Sequence, residues 1–174
     1  VNAWKKRGMV TAMTGDGVND APSIKSADIG IGMAITGTDV TKNVADMVLA
    51  DDNFATIVLA VEEGRRIYDN IRKSIQFLLA SNLSEVLSIF AANLLGFTIL
   101  KPVHLLWINL VTDSFPALAL SMEKPEKNIM NRPPRKSTDG IFSGGVGIDI
   151  AYQGLLVTIL TLAAYFIGHF IESG

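Results

Sequence analysis

TGDGVNDAPSIKSADIGIG, Thr14 to Gly32, sets two carboxylates, Asp16 and Asp20, in a glycine-rich turn behind the short apolar run Gly8–Met13. Such a run predicts a buried strand, Met9–Met13. Gly15 and Gly17 let the backbone bend tightly and come close to a ligand. Asp16 and Asp20 offer hard oxygens suited to Mg2+, which takes few protein carboxylates and keeps several waters. Asn19 adds an amide able to bond a phosphate or hold a neighbouring carboxylate. Pro22 suits the first turn of a helix, whose free N–H groups favour anions. A plain polar turn between strand and helix has the same composition, so what lies around it must choose.

Outward from this turn, strand and helix signals alternate as far as Glu63. Ile29–Met33 and Met47–Leu49 read as further strands and Ala21–Ser26 and Thr38–Ala45 as helices, with Asn53 capping a helix that opens at Phe54. Alternation of this kind favours a parallel sheet covered on both faces. The expected organisation is a partial cytosolic domain over 1–63, then a helical stalk over 64–74. The stalk carries Arg65, Arg66, Arg72 and Lys73 just before the chain turns apolar.

Three apolar stretches follow, at about 75–100, 103–122 and 146–171, separated by the short Lys101-Pro102 connection and a loop over 123–145. Each is near the roughly 20 residues that cross a bilayer. Lys124, Lys127, Arg132, Arg135 and Lys136 crowd the second loop, whereas the first has only Lys101. The positive-inside bias therefore puts the N-terminal domain and the second loop in the cytoplasm. The 174 residues are 49% hydrophobic with a net charge of −2, which gives no sign of nucleic-acid binding. Cysteine is absent, so neither disulfides nor cysteine metal sites arise. With no initiator Met or basic-then-apolar leader, the expectation is a piece of a longer protein.

Polar groups inside the spans are the functional candidates. Asn82 and Glu85 share a helix face with Ser81, Ser84 and Ser88 nearby; Asn109, Thr112 and Asp113 share another. A carboxylate at the centre of a span costs about 2.5–3.5 kcal/mol on insertion scales. Pro116 removes its own N–H and crowds the carbonyl of Thr112, so the helix is expected to loosen beside Asp113. Two readings stay open on the residues alone: an all-oxygen cage for a hard cation, or hydrogen-bonded bridges between helices.

TGDGVNDAPSIKSADIGIGM, GTDVTKNVADMVLADDNFATIVLAVEEGRRIYDNIRKSI, SNLSEVL, LLWINLVTDSFPALAL and IMNRPPR together cover most of the chain. They resemble the P-type cation-transporting ATPases, and within them the calcium-pump branch. The resemblance implies an α/β fold, the C-terminal part of a haloacid-dehalogenase-like, Rossmann-type domain, continuing into an α-helical transmembrane region. It implies an ATP-driven pump working through an aspartyl phosphate, with Mg2+ as cofactor and ATP as substrate. Asp16 would bind the Mg2+ while Asn19 and Asp20 position it and the phosphoryl group. Asn82, Glu85, Asn109, Thr112 and Asp113 would be ion ligands, with others supplied by spans outside this chain. Sodium/potassium pumps carry an acid where Asn109 stands, which points to Ca2+. Phosphorylation would open the ion site to the other side through the stalk. Partners implied are the lipid bilayer, the transported cation and the other domains of the same protein; the expected location is the plasma membrane of a prokaryote.

The family's DKTGT motif is not in these residues, and no nucleotide-binding residue can be named. The segment alone is therefore expected to be inactive. Calcium pumps often carry several acids in the second loop, where this chain keeps Glu126 and has Asn128 and Asn131. His104, His169 and Asp149 read as interfacial, Trp107 and Tyr152 as interface anchors, and Asp51-Asp52 as a solvated turn. The alternatives are a non-catalytic membrane remnant that regulates a pump, a soluble phosphatase of the haloacid-dehalogenase type, or a pump for H+ or Na+.

Overall fold

The computed structural model describes residues 1–136 and 138–172, and the chain divides into two compact units, Val1–Glu63 and Gly64–Gly174. In the first unit the elements run α1 (Asn2–Lys5), β1 (Ala12–Gly15), α2 (Ala21–Ser26), β2 (Ile29–Met33), α3 (Asp39–Val44) and β3 (Met47–Leu49). The three strands form one parallel sheet in the order β1-β2-β3, with Ala12 opposite Ile29 and Ile31 opposite Met47. Ile24 of α2 and Ile31 of β2 are fully buried and anchor the core, with Leu49 beside them in burial.

β1 starts at Ala12 rather than Met9. The cause is local: Gly8 adopts a positive φ and the Met9 N–H donates back to the Trp4 carbonyl, so the chain is still turning out of α1 there. Thr11 then fixes the entry to the strand, its N–H and hydroxyl both donating to Asp28 at 2.8 and 3.1 Å. The Thr38 side chain caps α3 by accepting the Thr41 N–H.

α4 runs from Ala55 to Leu94, 40 residues. Its first turn is capped by Asn53, whose side chain accepts the Ala55 N–H at 3.0 Å. The helix stops at Leu94, short of the expected Leu100. Gly96 takes a φ of +81°, and the Phe97 N–H returns to the Ala92 carbonyl at 3.0 Å. That closure is the glycine-ended helix stop.

In the second unit α5 (Pro102–Trp107), a π-helical turn (Ile108–Thr112) and α6 (Ser114–Ser121) follow one another, and α7 (Val146–Glu172) closes the chain. Among the described residues, three segments are long and apolar enough to cross a membrane: Ala55–Leu94, Pro102–Ser121 and Ser143–Ile171. α4 packs on α7 where Gly154 meets Leu83: a Cβ on Gly154 would lie 2.8 Å from Leu83 Cδ2. At the α4 end, Phe97 stacks on Tyr165 with ring centroids 4.5 Å apart.

The connection after α6 is tied to α4. Asn70, 3% exposed, donates to the Ser121 and Glu123 carbonyls at 3.2 and 2.8 Å. Arg65 donates to the Ile129 and Arg132 carbonyls at 2.8 and 2.9 Å, and Arg132 pairs with Asp69. Arg135 lies over the Tyr68 ring, 3.7 Å from its centroid. Basic residues that the sequence assigns to orientation thus also fasten this loop.

Candidate functional site

A parallel sheet gathers its ligand-facing groups beyond the carboxyl ends of its strands, and all three strands of the first unit contribute there. Thr14 and Gly15 end β1 and lead to Asp16; Met33 ends β2 and leads to Thr36; β3 leads to Asp52. These residues, with Asp20, line one cavity of about 390 Å³. Asp20 is turned back on its own loop, its carboxylate accepting the Asp16 and Gly17 N–H groups at 3.3 and 3.1 Å. The turn closes this tightly because residue 15 is glycine: a Cβ there would sit 2.5 Å from Asp20 Cβ. The Asp16 side chain is exposed and accepts no hydrogen bond among the described residues. Asn19 is exposed on the short 3-10 turn Val18–Asp20.

This donor set fits Mg2+. One carboxylate, Asp16, is unencumbered at the mouth of a polar cavity, and a second, Asp20, is held by backbone donors. Among the described residues no group of three His, Cys, Asp or Glu side chains gathers as a metal cluster. An ion that takes one or two carboxylates and otherwise water and phosphate oxygens suits such a site better than one needing a protein cage.

Asp52 belongs to the same cavity, and the sequence reading of a solvated turn missed it. It sits at φ +48° and its carboxylate accepts the Ile35 N–H, the Thr36 N–H and the Thr36 hydroxyl at 3.0, 2.6 and 2.8 Å. Burial pushes its carboxyl up, but the Ile35 and Thr36 donors outweigh it and hold the group below its ordinary range. Asp51 is committed as well, accepting the Thr56 hydroxyl at 2.7 Å and the Asn53 N–H at 3.1 Å.

The second unit places Asn109 and Glu85 together: Asn109 Nδ2 donates to Glu85 Oε2 at 2.9 Å and to the Leu105 carbonyl at 3.0 Å. Asp113 is 4% exposed. Glu85 Oε1 and Asp113 Oδ2 are buried acceptors without a hydrogen-bond partner. Pro116 has no N–H to give Thr112, and the turn just before is π-helical, with the Asp113 N–H reaching the Ile108 carbonyl at 2.9 Å. Asn82 and Thr112 are exposed and make no side-chain hydrogen bond among the described residues, so they are not drawn onto Glu85. A buried hydroxyl seam lies alongside: Ser84, Ser88 and Thr158 are all buried, and Thr158 Oγ1 donates to the Gly154 carbonyl at 2.7 Å. Thr158 is a polar residue the sequence reading left out, one of two threonines in the apolar span of α7.

Membrane-length helices with buried carboxylate oxygens thus share one chain with a carboxylate turn on a parallel sheet. Residues 97–174 match the family described as cation transporting ATPase, C-terminus. The chain is 51% identical over 169 residues to calcium-transporting ATPase 1 of Bacillus cereus, covering 97% of this chain and 19% of that protein. It is 51% identical over 168 residues to a calcium-transporting ATPase of Bacillus subtilis, covering 96% and 19%. With calcium-transporting ATPase 4, endoplasmic reticulum-type, of Arabidopsis thaliana it shares 49% identity over 168 residues, covering 96% and 16%. The chain belongs to the P-type cation-transporting ATPases. It spans about a fifth of the length of these relatives, and its sequence matches their C-terminal region.

Proposed function

We propose that these residues are the part of an ATP-driven Ca2+ pump that joins its phosphorylation chemistry to its ion site. The observation that carries this reading is the pair Glu85 Oε1 and Asp113 Oδ2, buried acceptors with no donor on apolar helices. A buried carboxylate oxygen without a donor is costly, and a hard cation is the partner that repays it. Glu85 and Asp113 supply charge, and Asn109 holds Glu85 through its amide N–H. Asn82 and Thr112 join on ion binding, together with ligands from spans outside this chain.

At the sheet, Asp16 would hold Mg2+, which supplies charge neutralisation at a phosphoryl group when bound. Asp20 fixes the turn that presents Asp16, and Asn19 orients the phosphoryl oxygens. Positioning and electrostatics dominate phosphoryl transfer, which suits residues of this kind. The phosphorylated aspartate and the nucleotide site lie outside these residues, so the segment alone neither hydrolyses ATP nor transports. In this reading 1–63 is cytosolic, 64–74 is the stalk, and the loop 123–145 faces the cytoplasm of a prokaryote whose plasma membrane holds the spans 75–100, 103–122 and 146–171.

The test is Ca2+-dependent phosphorylation from ATP in the whole protein that contains this segment. Glu85→Gln and Asp113→Asn are each expected to abolish activation by micromolar Ca2+ while leaving phosphorylation from inorganic phosphate. Activation by Ca2+ that survives both substitutions would remove the ion-site assignment.

A further inference from the structure

Asp52 is the acid of this cavity that the proposed chemistry does not use. It lines the cavity of Asp16 and Asp20, yet its carboxylate does not reach for a ligand. Its acceptor capacity goes to the segment that leaves β2: Ile35 N–H at 3.0 Å, Thr36 N–H at 2.6 Å and the Thr36 hydroxyl at 2.8 Å. Two residues further on, the Thr38 N–H donates at 3.0 Å to the backbone carbonyl of Asp16. The Thr38 side chain then caps α3. A continuous line of bonds therefore runs from Asp52 through Thr36 to Thr38 and ends on the main chain of Asp16.

Each link has a physical reason to be stiff. Bonds to an ionised carboxylate are about twice as strong as neutral ones. A two-pronged grip on consecutive N–H groups and a hydroxyl leaves the Ile35–Thr36 turn little freedom. Asp52 itself takes the left-handed φ of +48°, which is uncommon outside glycine, asparagine and aspartate. A freely solvated turn residue would have no cause to hold that conformation.

We propose that Asp52 is a positioning residue for Asp16: it fixes the Ile35–Thr38 segment, and through the Thr38 N–H it sets where the Asp16 carboxylate stands. The inference rests on the reading of Asp16 as the divalent-ion carboxylate. It assigns Asp52 no contact with the ion, because its oxygens are already occupied by three donors. The same line explains why a second acid beside Asp16 does not make the site a high-charge cage.

The test is Mn2+ binding, followed by electron paramagnetic resonance, on the full chain in lipid nanodiscs, with Mg2+ as competitor. The unsubstituted chain is expected to bind Mn2+ and Asp16→Asn to lose it. Loss of an outer-sphere partner typically weakens a metal site by about ten- to a hundredfold, so Asp52→Ala should weaken binding about tenfold. Asp52→Asn keeps one acceptor oxygen and should fall between. Thr36→Val keeps both backbone donors to Asp52 and should bind within about threefold of the unsubstituted chain, as one neutral bond is lost. Far-UV circular dichroism separates unfolding from a positioning effect, and the Asp52→Asn and Thr36→Val variants keep the question decidable if Asp52→Ala does not fold. Asp52→Ala folded and binding Mn2+ like the unsubstituted chain overturns this inference alone. Asp52→Asn losing Mn2+ as completely as Asp16→Asn overturns it too, since Asp52 would then be a ligand. Mn2+ affinity unaffected by Asp16→Asn overturns the reading of Asp16 and this inference with it.

Discussion

Asn109 Nδ2 stands 2.9 Å from Glu85 Oε2 and leaves Glu85 Oε1 buried without a partner. One amide thus occupies one carboxylate oxygen and leaves the other for the cation proposed above. The same amide also bonds the Leu105 carbonyl one helical turn back, so its orientation is fixed from both sides. A bond to a charged group contributes about 1.5–3 kcal/mol. Asn109→Leu should therefore raise the Ca2+ concentration for half-maximal phosphorylation of the whole pump by about tenfold or more. Asn109→Asp removes the donor and sets a second charge beside Glu85. It should shift selectivity among cations rather than restore the original affinity. Equal Ca2+ activation in the unsubstituted and Leu proteins would defeat the assignment.

Asp28 gives a pH dependence. Its carboxyl is held below the ordinary range first by the Thr11 N–H, then by the Lys5 ammonium at 3.0 Å, with burial opposing. A depressed folded-state value means the stabilisation is complete above the unfolded value, about 3.9, and is lost as pH falls through the lower folded one. Carboxyl carbon chemical shifts should place the Asp28 midpoint below about 3.9. The Thr11 amide, corrected for intrinsic exchange, should lose protection over that same interval. Asp28→Asn should abolish the pH dependence of that protection. A midpoint at or above the free-aspartate value would show that the Thr11 and Lys5 contacts do not hold in solution.

Much of this was legible in the sequence because it is carried by local chemistry. α2, β2 and β3 fall where composition and periodicity put them, since a proline at the start of a helix and short β-rich runs act over a few residues. The end of α4 did not, because Gly96 stops that helix through a hydrogen bond spanning five residues while apolar composition continues to Leu100. Asp52 was out of reach for a different reason. Its partners Ile35 and Thr36 lie 17 and 16 residues away, and only the sheet brings three strand ends together. Within the spans, helical spacing marked Glu85 and Asp113 as candidates, but spacing on one helix cannot say that Asn109 bonds Glu85 24 residues away. The seam of Ser84, Ser88 and Thr158 was half visible, because two of the three share one helix.

Gly154 should tolerate little. A Cβ there would lie 2.8, 3.0 and 3.1 Å from Leu83 Cδ2, Cγ and Cβ. The clash reaches the root of the leucine, so rotating its tip does not relieve it. Overpacking of this kind costs about 1–3 kcal/mol. Gly154→Leu should lower the midpoint of thermal unfolding in detergent, Gly154→Ala less so. Leu83→Ala should offset part of the cost when combined with Gly154→Leu, a coupling between neighbours that separate sites do not show. Purely additive effects in the double variant would mean the two residues do not touch.

Two of the contacts that fasten the loop after α6 should differ in weight. Lys73 pairs with Glu123 at 2.6 Å, with both side chains well exposed. Pairs like that contribute about 0–1 kcal/mol and are screened by salt. Asn70 is buried and its amide satisfies two carbonyls, those of Ser121 and Glu123. Removing it leaves both acceptors without that donor, at about 1–3 kcal/mol for each group left buried and unpaired. Asn70→Ala is thus expected to speed hydrogen exchange at the amides of Met122, Glu123 and Ile129 by tenfold or more, since about 1.4 kcal/mol corresponds to a factor of ten. Lys73→Ala should change the same rates by less than about fivefold, and raised salt should erase that difference. If Lys73→Ala frees the loop as much as Asn70→Ala, charge rather than the buried amide holds it. The helix would then grip the loop through solvent-exposed ends that salt can loosen.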